Sequence, residues 1–266
     1  MQEQEFSVAL RAVLATAWLF PMTSCVTPGG SQSLDGSKFL RDQLVVNSDV
    51  ALAPDEPVVQ GLLQLRGDLA ALLQLTTSEE PIYVYLFEDE AEFTALIERQ
   101  YPELHGRRAI FVKNADGLTV YARWTERVDE DLRHEVAHGY LHSVLPHVPL
   151  WLDEGVAEYF ENPPAEMGRN QAHIDLLSAA RHRWSPDLMQ LERLTEASQM
   201  DQLDYAEAWL WIHFCLNTTA ERRVTLLQYV GSLQAGRATQ TFHEMIGLAE
   251  QELKQHLERL SRPRDS

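Results

Sequence analysis

The 266-residue chain reads as an α+β fold with one small sheet and a mostly helical C-terminal part. Short runs rich in β-branched and aromatic residues are confined to about residues 81–124, and helical apolar spacing takes over from about residue 128. Strands first and helices afterwards is the pattern of an α+β domain. Apolar residues make up 45% and charged residues 23% of the chain, the balance of a globular protein able to bury a core.

Each element follows from local signals. The run from Ala12 to Met22 is mostly apolar. It is too short to span a bilayer, which takes about 20 apolar residues, but suits the core of an export signal. Met22-Thr23-Ser24-Cys25 resembles a bacterial lipoprotein cleavage site, in which Cys25 becomes the lipidated first residue. The following VTPGGSQSLDGS reads as a tether. The expected division is a leader over 1–25, a tether over 26–37 and one domain over 38–262. Val58–Leu75 has helical spacing, Pro81–Phe87 reads as a strand, and EDEAEFTALIERQY as a short helix. RRAIFV and LTVYARW are two strands joined by the turn KNADG. A helix from Val128 to about Leu145 stops at Pro146, and Pro149 precedes another beginning near Trp151. Further helices are expected over Gln171–Arg183, Asp204–Leu216, Ala220–Leu233 and Thr239–Leu260.

The net charge of −18 comes from 40 acids against 22 Lys and Arg. Such a surface repels phosphate, so nucleic acid is not an expected partner. Two cysteines make no disulfide framework, and Cys215, inside LDYAEAWLWIHFCL, reads as a buried core thiol.

Residues 134–138 read HEVAH. On a helix, His134 and His138 project from one face about 6 Å apart along the axis. Two imidazoles so placed can share one Zn²⁺, and Glu135, offset by one residue, can take a proton from water beside it. A catalytic zinc needs a third protein ligand and an open position. His142 lies about 12 Å along the axis from His134, too far to share the ion. The metzincin pattern requires a histidine where Val144 stands. There remains WLDEGVAEYF (151–160), where Glu154 falls in the first turn of the next helix and Glu158 one turn later. Pro146 and Pro149 let the chain reverse, and small Gly155 and Ala157 suggest close packing against the HEVAH helix.

HEVAH followed by PLWLDEGVAE resembles the gluzincin zinc peptidases, among them aminopeptidase N-like and thermolysin-like enzymes, and most closely the bacterial proteins with a peptidase MA-like domain. The likeness runs from PIYVYLF to YAEAWLWIHF and the final helices. It implies a zincin-like fold with a small mixed sheet, one zinc ion held by His134, His138 and Glu154, and Glu135 as general base. It further implies that Glu158 orients a ligand imidazole, and that a peptide or protein substrate lies along the strand Leu118–Arg123. Tyr205, opening YAEAWLWIHF, is the candidate oxyanion stabiliser, with Tyr140 and Tyr159 behind it. Asp153 reads as a charge at the start of its helix, and His142 and His147 as helix-end or surface residues. The G-x-M-E-N stretch with which aminopeptidase N-like enzymes hold a free amine is absent, which favours an endopeptidase. The expected protein is a zinc peptidase of the bacterial envelope, anchored through Cys25. The alternative is a zinc-containing scaffold that binds peptides without cutting them.

Overall fold

The computed structural model describes residues 36–262 apart from 238. The leader, Cys25 and nearly all of the tether lie outside the described residues. Five strands form one mixed sheet: β1 (Ser37–Arg41), β2 (Leu44–Ser48), β3 (Ile82–Phe87), β4 (Ala109–Asn114) and β5 (Gly117–Arg123), in the order β1-β2-β3-β5-β4. β2, β3 and β5 run parallel, and the outer pairs β1/β2 and β4/β5 are antiparallel. The parallel step from β2 to β3 is made by helix α1 (Pro57–Leu73), and α2 (Glu90–Gln100) follows β3. β1 and β2 are additions to the expected elements. SKFLR carries two cations and a serine, and neither five-residue strand declares itself by pattern.

Alternation along the strands separates the two faces of the sheet. Ile82, Val84, Leu118, Val120 and Ala122 point into the main core, shared with α1 and with α3 (Val128–Val144). Phe87 and Tyr121 face the other way, where Phe93 and Ile97 of α2 cover Ile110 in a smaller cluster. Gly139 lets α3 settle on the sheet: a Cβ there would meet Ile82 carbons at 3.0–3.1 Å.

Behind α3 lies an all-helical layer. It comprises α4 (Leu150–Phe160), α5 (Gln171–Ala180), α6 (Leu188–Leu191), α7 (Gln202–Asn217), α8 (Ala220–Gln234), α9 (Phe242–Ile246) and α10 (Glu250–Leu260). The expected single helix over Thr239–Leu260 is two, parted at Gly247, whose φ of 68° an L side chain rarely adopts. α7 is the central pillar. It is buried continuously from Ala206 to Leu216, including Trp209, Trp211 and Phe214, and a helix apolar on every side belongs in a core. Its start is closed by a reciprocal capping box between Asp201 and Asp204. Cys215 is fully buried, and burial pushes its thiol pKa up. The acid inside this helix is satisfied. Glu207 accepts from the Trp184 indole at 2.7 Å, the Asp187 amide at 2.7 Å and the Trp211 indole at 3.2 Å. Removing that carboxylate would orphan two buried indole donors.

Gly155 packs elsewhere than its sequence context suggests. A Cβ on Gly155 would lie 2.6 Å from the Ala208 carbonyl oxygen and 2.8 Å from Ile212 Cγ1, so the close approach is to α7 and not to α3. Gly155→Ala is expected to cost about 2 kcal/mol by overpacking, read as a lower midpoint in urea denaturation. An unchanged midpoint would reject this account of the α4–α7 contact.

Candidate metal centre

α3 begins with Asp129, Glu130 and Asp131, acids that suit the positive end of a helix dipole. Its apolar residues Leu132, Val136, Ala137 and Leu141 are fully buried, which fixes the rotation of the helix and aims His134 and His138 together. The chain leaves α3 at Leu145, and Pro149 caps α4. The contacts 142 with 153, 134 with 154 and 133 with 160 show that α4 runs back antiparallel to α3. Arg133 secures the far end. Its guanidinium donates to the carbonyls of Phe160 at 2.9 Å, Asn162 at 3.2 Å and Gly61 at 3.3 Å. The bonds to Phe160 and Asn162 meet the carbonyl end of α4, where a cation is favoured, and the one to Gly61 ties α3 to α1.

At the crossing, His134 Nε2 and His138 Nε2 lie 3.2 Å apart, and each is 3.7 Å from Glu154 Oε2. The point equidistant from these atoms lies about 2.1 Å from each, where zinc bonds to imidazole and carboxylate run about 2.0–2.2 Å. Two imidazole nitrogens and one carboxylate oxygen are also a donor set that zinc accepts. The residues present therefore fit the ion. His142 is not part of this triangle.

Asp153 does more than charge the start of α4. Its Oδ1 lies 2.7 Å from His138 Nδ1, and its Oδ2 lies 2.7 Å from His142 Nε2. A carboxylate on Nδ1 keeps the proton there and leaves the Nε2 lone pair facing His134 and Glu154. His142 is thus tied to the site from outside it, and Phe111 of β4 contacts both imidazoles, stacked on His138 at 5.9 Å and tilted against His142 at 5.3 Å. Glu158, expected to orient a ligand imidazole, instead accepts a 2.7 Å hydrogen bond from His173 Nε2. Its carboxylate, with that of Glu161, lies within 4.8 Å of a His134 ring nitrogen. Asp153 is the carboxylate that holds a ring of the triangle, a role hidden by its position beside the conspicuous Glu154.

The local field favours positive charge. Burial pushes the His134 pKa down, but the nearby carboxylates of Glu154, Glu135 and Glu158 outweigh it and raise it to about 10. For His138 burial is likewise overcome, by Asp153 and Glu154, to about 9. Asp153 is held below the usual carboxylate range: burial opposes this, and the His138 charge and the hydrogen bonds of His138 and His142 prevail. A place that holds extra protons so firmly also attracts a cation. Glu135 is 8% exposed, and burial pushes its pKa up while the two imidazoles pull it down.

His134 opens onto a cleft of about 530 Å³ shared with Arg107, Gln202 and Tyr205. The Tyr205 hydroxyl is buried and faces the Arg107 guanidinium. The other two tyrosines point elsewhere: Tyr140 donates to the Leu62 carbonyl at 3.1 Å, and Tyr159 accepts from Asn217 and lines a different cavity. A larger cavity of about 630 Å³ around Asn162, Gln171 and Ser261 is lined by none of the triangle residues. Leu118–Arg123, expected as the edge for a substrate, is β5 less its first residue. It pairs on both sides, and β4 is the outer strand. The misreading arose because strand order cannot be read from chain order when a hairpin folds outward.

No protein-family model and no curated protein match the chain. Among solved structures it is similar to an M1 zinc metallopeptidase from Deinococcus radiodurans, with a TM-score of 0.50 and 19% identity over 83% of this chain and 49% of that one. A mutant of an M1 zinc metallopeptidase from the same organism aligns with a TM-score of 0.47 and 17% identity, over 84% of this chain and 49% of that one. The chain spans about half the length of these structures, and the first likeness is one of fold.

The geometry predicts about one zinc per chain. Asp153→Asn is expected to weaken zinc binding by about 10- to 100-fold in a competition titration with a chelator. Wild-type affinity in this variant would reject the role given to Asp153.

Proposed function

We propose that the protein is a zinc-dependent peptidase. The observation that carries this reading is the triangle of His134, His138 and Glu154, flanked by the buried acid Glu135. The fold likeness to a zinc metallopeptidase agrees with it. Zinc, when bound, would supply a Lewis acid that acidifies water and polarises a carbonyl.

The chain's own residues do the rest. An extended peptide adds to the outer edge of β4 by main-chain hydrogen bonds and passes Phe111, which stacks on His138. Its carbonyl is thereby brought beside the triangle. Glu135 takes the proton of the attacking water and returns it to the leaving amine; a carboxylate with a pKa lifted by burial is suited to both steps. Tyr205, whose buried hydroxyl lies beside Arg107, donates to the carbonyl oxygen as negative charge develops there. Asp153 keeps His138 in the tautomer that offers Nε2. Water therefore attacks one face of a peptide held by β4, and the reading is of an endopeptidase.

We further infer export to the bacterial envelope and a lipid anchor at Cys25, supported by the apolar run Ala12–Met22, the cysteine and the Gly/Ser-rich segment after it. Among the described residues no helix is long and apolar enough to cross a membrane.

Glu135→Gln is expected to keep zinc and lower the cleavage of a broad peptide library by about 10²-fold or more. Undiminished cleavage would remove Glu135 from the mechanism. A zinc-loaded wild type that cuts nothing would favour a binding scaffold. Cys25→Ser is expected to move the protein from the membrane to the soluble fraction on cell fractionation, and unchanged fractionation would reject the anchor.

A further inference from the structure

The cleft beside the triangle holds a cation that makes no ion pair with any carboxylate among the described residues. Arg107 and Arg108 are neighbours just before β4, and their side chains part. Arg108 makes a two-pronged ion pair with Asp131, with Nε 2.9 Å from Oδ2 and Nη2 2.6 Å from Oδ1. Arg107 instead lines the cleft with His134, Gln202 and Tyr205. Among the described residues no carboxylate lies within ion-pairing distance of it. It faces Tyr205, and its charge is felt at Glu135 and Glu154. The remaining acid of the cleft, Glu158, is engaged by His173 at 2.7 Å.

The backbone that carries Arg107 is pinned on both sides. Gly106 turns the chain with a φ of 85°, which an L side chain rarely adopts. The Arg108 carbonyl accepts from the Arg123 amide at 3.0 Å, and its side chain is anchored on Asp131 of α3. Its guanidinium is a planar fork that matches the two oxygens of a carboxylate. The surroundings make such a cation necessary for an acidic ligand. A carboxylate entering the cleft without it would meet Glu135, Glu154 and Glu158 on a chain with net charge −18.

We propose that Arg107 is a specificity-determining residue that receives a carboxylate of the substrate in the cleft beside the metal centre. The carboxylate is either the C-terminal group of a peptide or the side chain of an acidic residue. The buried Tyr205 hydroxyl stands next to the same place. The substrate class rests on the peptidase reading, but the recognition is a binding event and is testable without turnover.

The test is calorimetric titration of the zinc-loaded full chain carrying Glu135→Gln. The ligands are N-acetyl-Ala-Ala-Ala as the free acid, its C-terminal amide, and N-acetyl-Ala-Glu-Ala amide. One of the two carboxylate-bearing peptides is expected to bind at least ~10-fold more tightly than the neutral amide, and which one does so identifies the source of the carboxylate. Adding Arg107→Gln is expected to abolish that preference while circular dichroism stays unchanged. Adding Arg107→Lys, which keeps the charge and loses the fork, should retain part of it. Equal binding of the three peptides, no binding of any at millimolar concentration, or a preference that survives Arg107→Gln would overturn the proposal. Cleavage by wild type is scored separately. The preference without cleavage sinks the peptidase reading and leaves Arg107 in its role, whereas cleavage without the preference sinks the role alone.

Discussion

The site depends on one carboxylate held by two imidazoles. Asp153 meets His138 Nδ1 with one oxygen and His142 Nε2 with the other, both at 2.7 Å. That bridge joins two turns of α3 to the first turn of α4, so it sets the register of the helices as well as the tautomer of a ring. With the register set, Glu154 is the next residue on α4 and comes within 3.7 Å of both Nε2 atoms. Arg133 closes the other end of the same helix pair on the carbonyls of Phe160 and Asn162. The pair is thus held at both ends by charged groups, with apolar packing between them.

Gathering carboxylates around two buried imidazoles is costly unless a positive charge joins them. The raised pKa values of His134 and His138 express that cost, and a bound dication would relieve it. The remainder of the helical layer supplies the stability against which such a site can be maintained. α7 is packed on every side, and its acid Glu207 is saturated with donors. It contributes Tyr205 to the cleft from its first turn, so a helix packed on every side carries a residue that lines the cleft.

Local spacing was the legible part of the sequence. HEVAH and WLDEG announce themselves because helical periodicity converts a four-residue interval into a shared face, and two prolines announce the reversal between them. The strands rich in β-branched and aromatic residues were legible for the same kind of reason. Relations between elements were not. Nothing in the residues of LTVYARW says that β4 lies outside it in the sheet. Nothing in EGVA says that Gly155 faces Ala208, more than fifty residues along the chain. Asp153 was overlooked because an acid in the first turn of a helix already has an adequate local explanation. SKFLR and LVVNS lack the length to declare a strand until β3 gives β2 a neighbour. Arg107 offered no pattern at all; its meaning comes from a cavity assembled from the segment before β4 and from α3, α4, α5 and α7.

The tight seat of Gly155 bears on how this protein could be hardened for practical use. Replacing helix glycines by alanine is a standard route to thermostability, since it removes freedom from the unfolded chain. In this fold the route divides sharply. Gly61 and Gly67 of α1 and Gly231 of α8 have open space where a methyl group would go. Gly155 and Gly139 have none to spare, and both lie in the layer that aligns the histidines. Engineering effort therefore belongs on α1 and α8, at a remove from the chemistry, while the two crowded glycines mark the part of the scaffold where sequence change is least free.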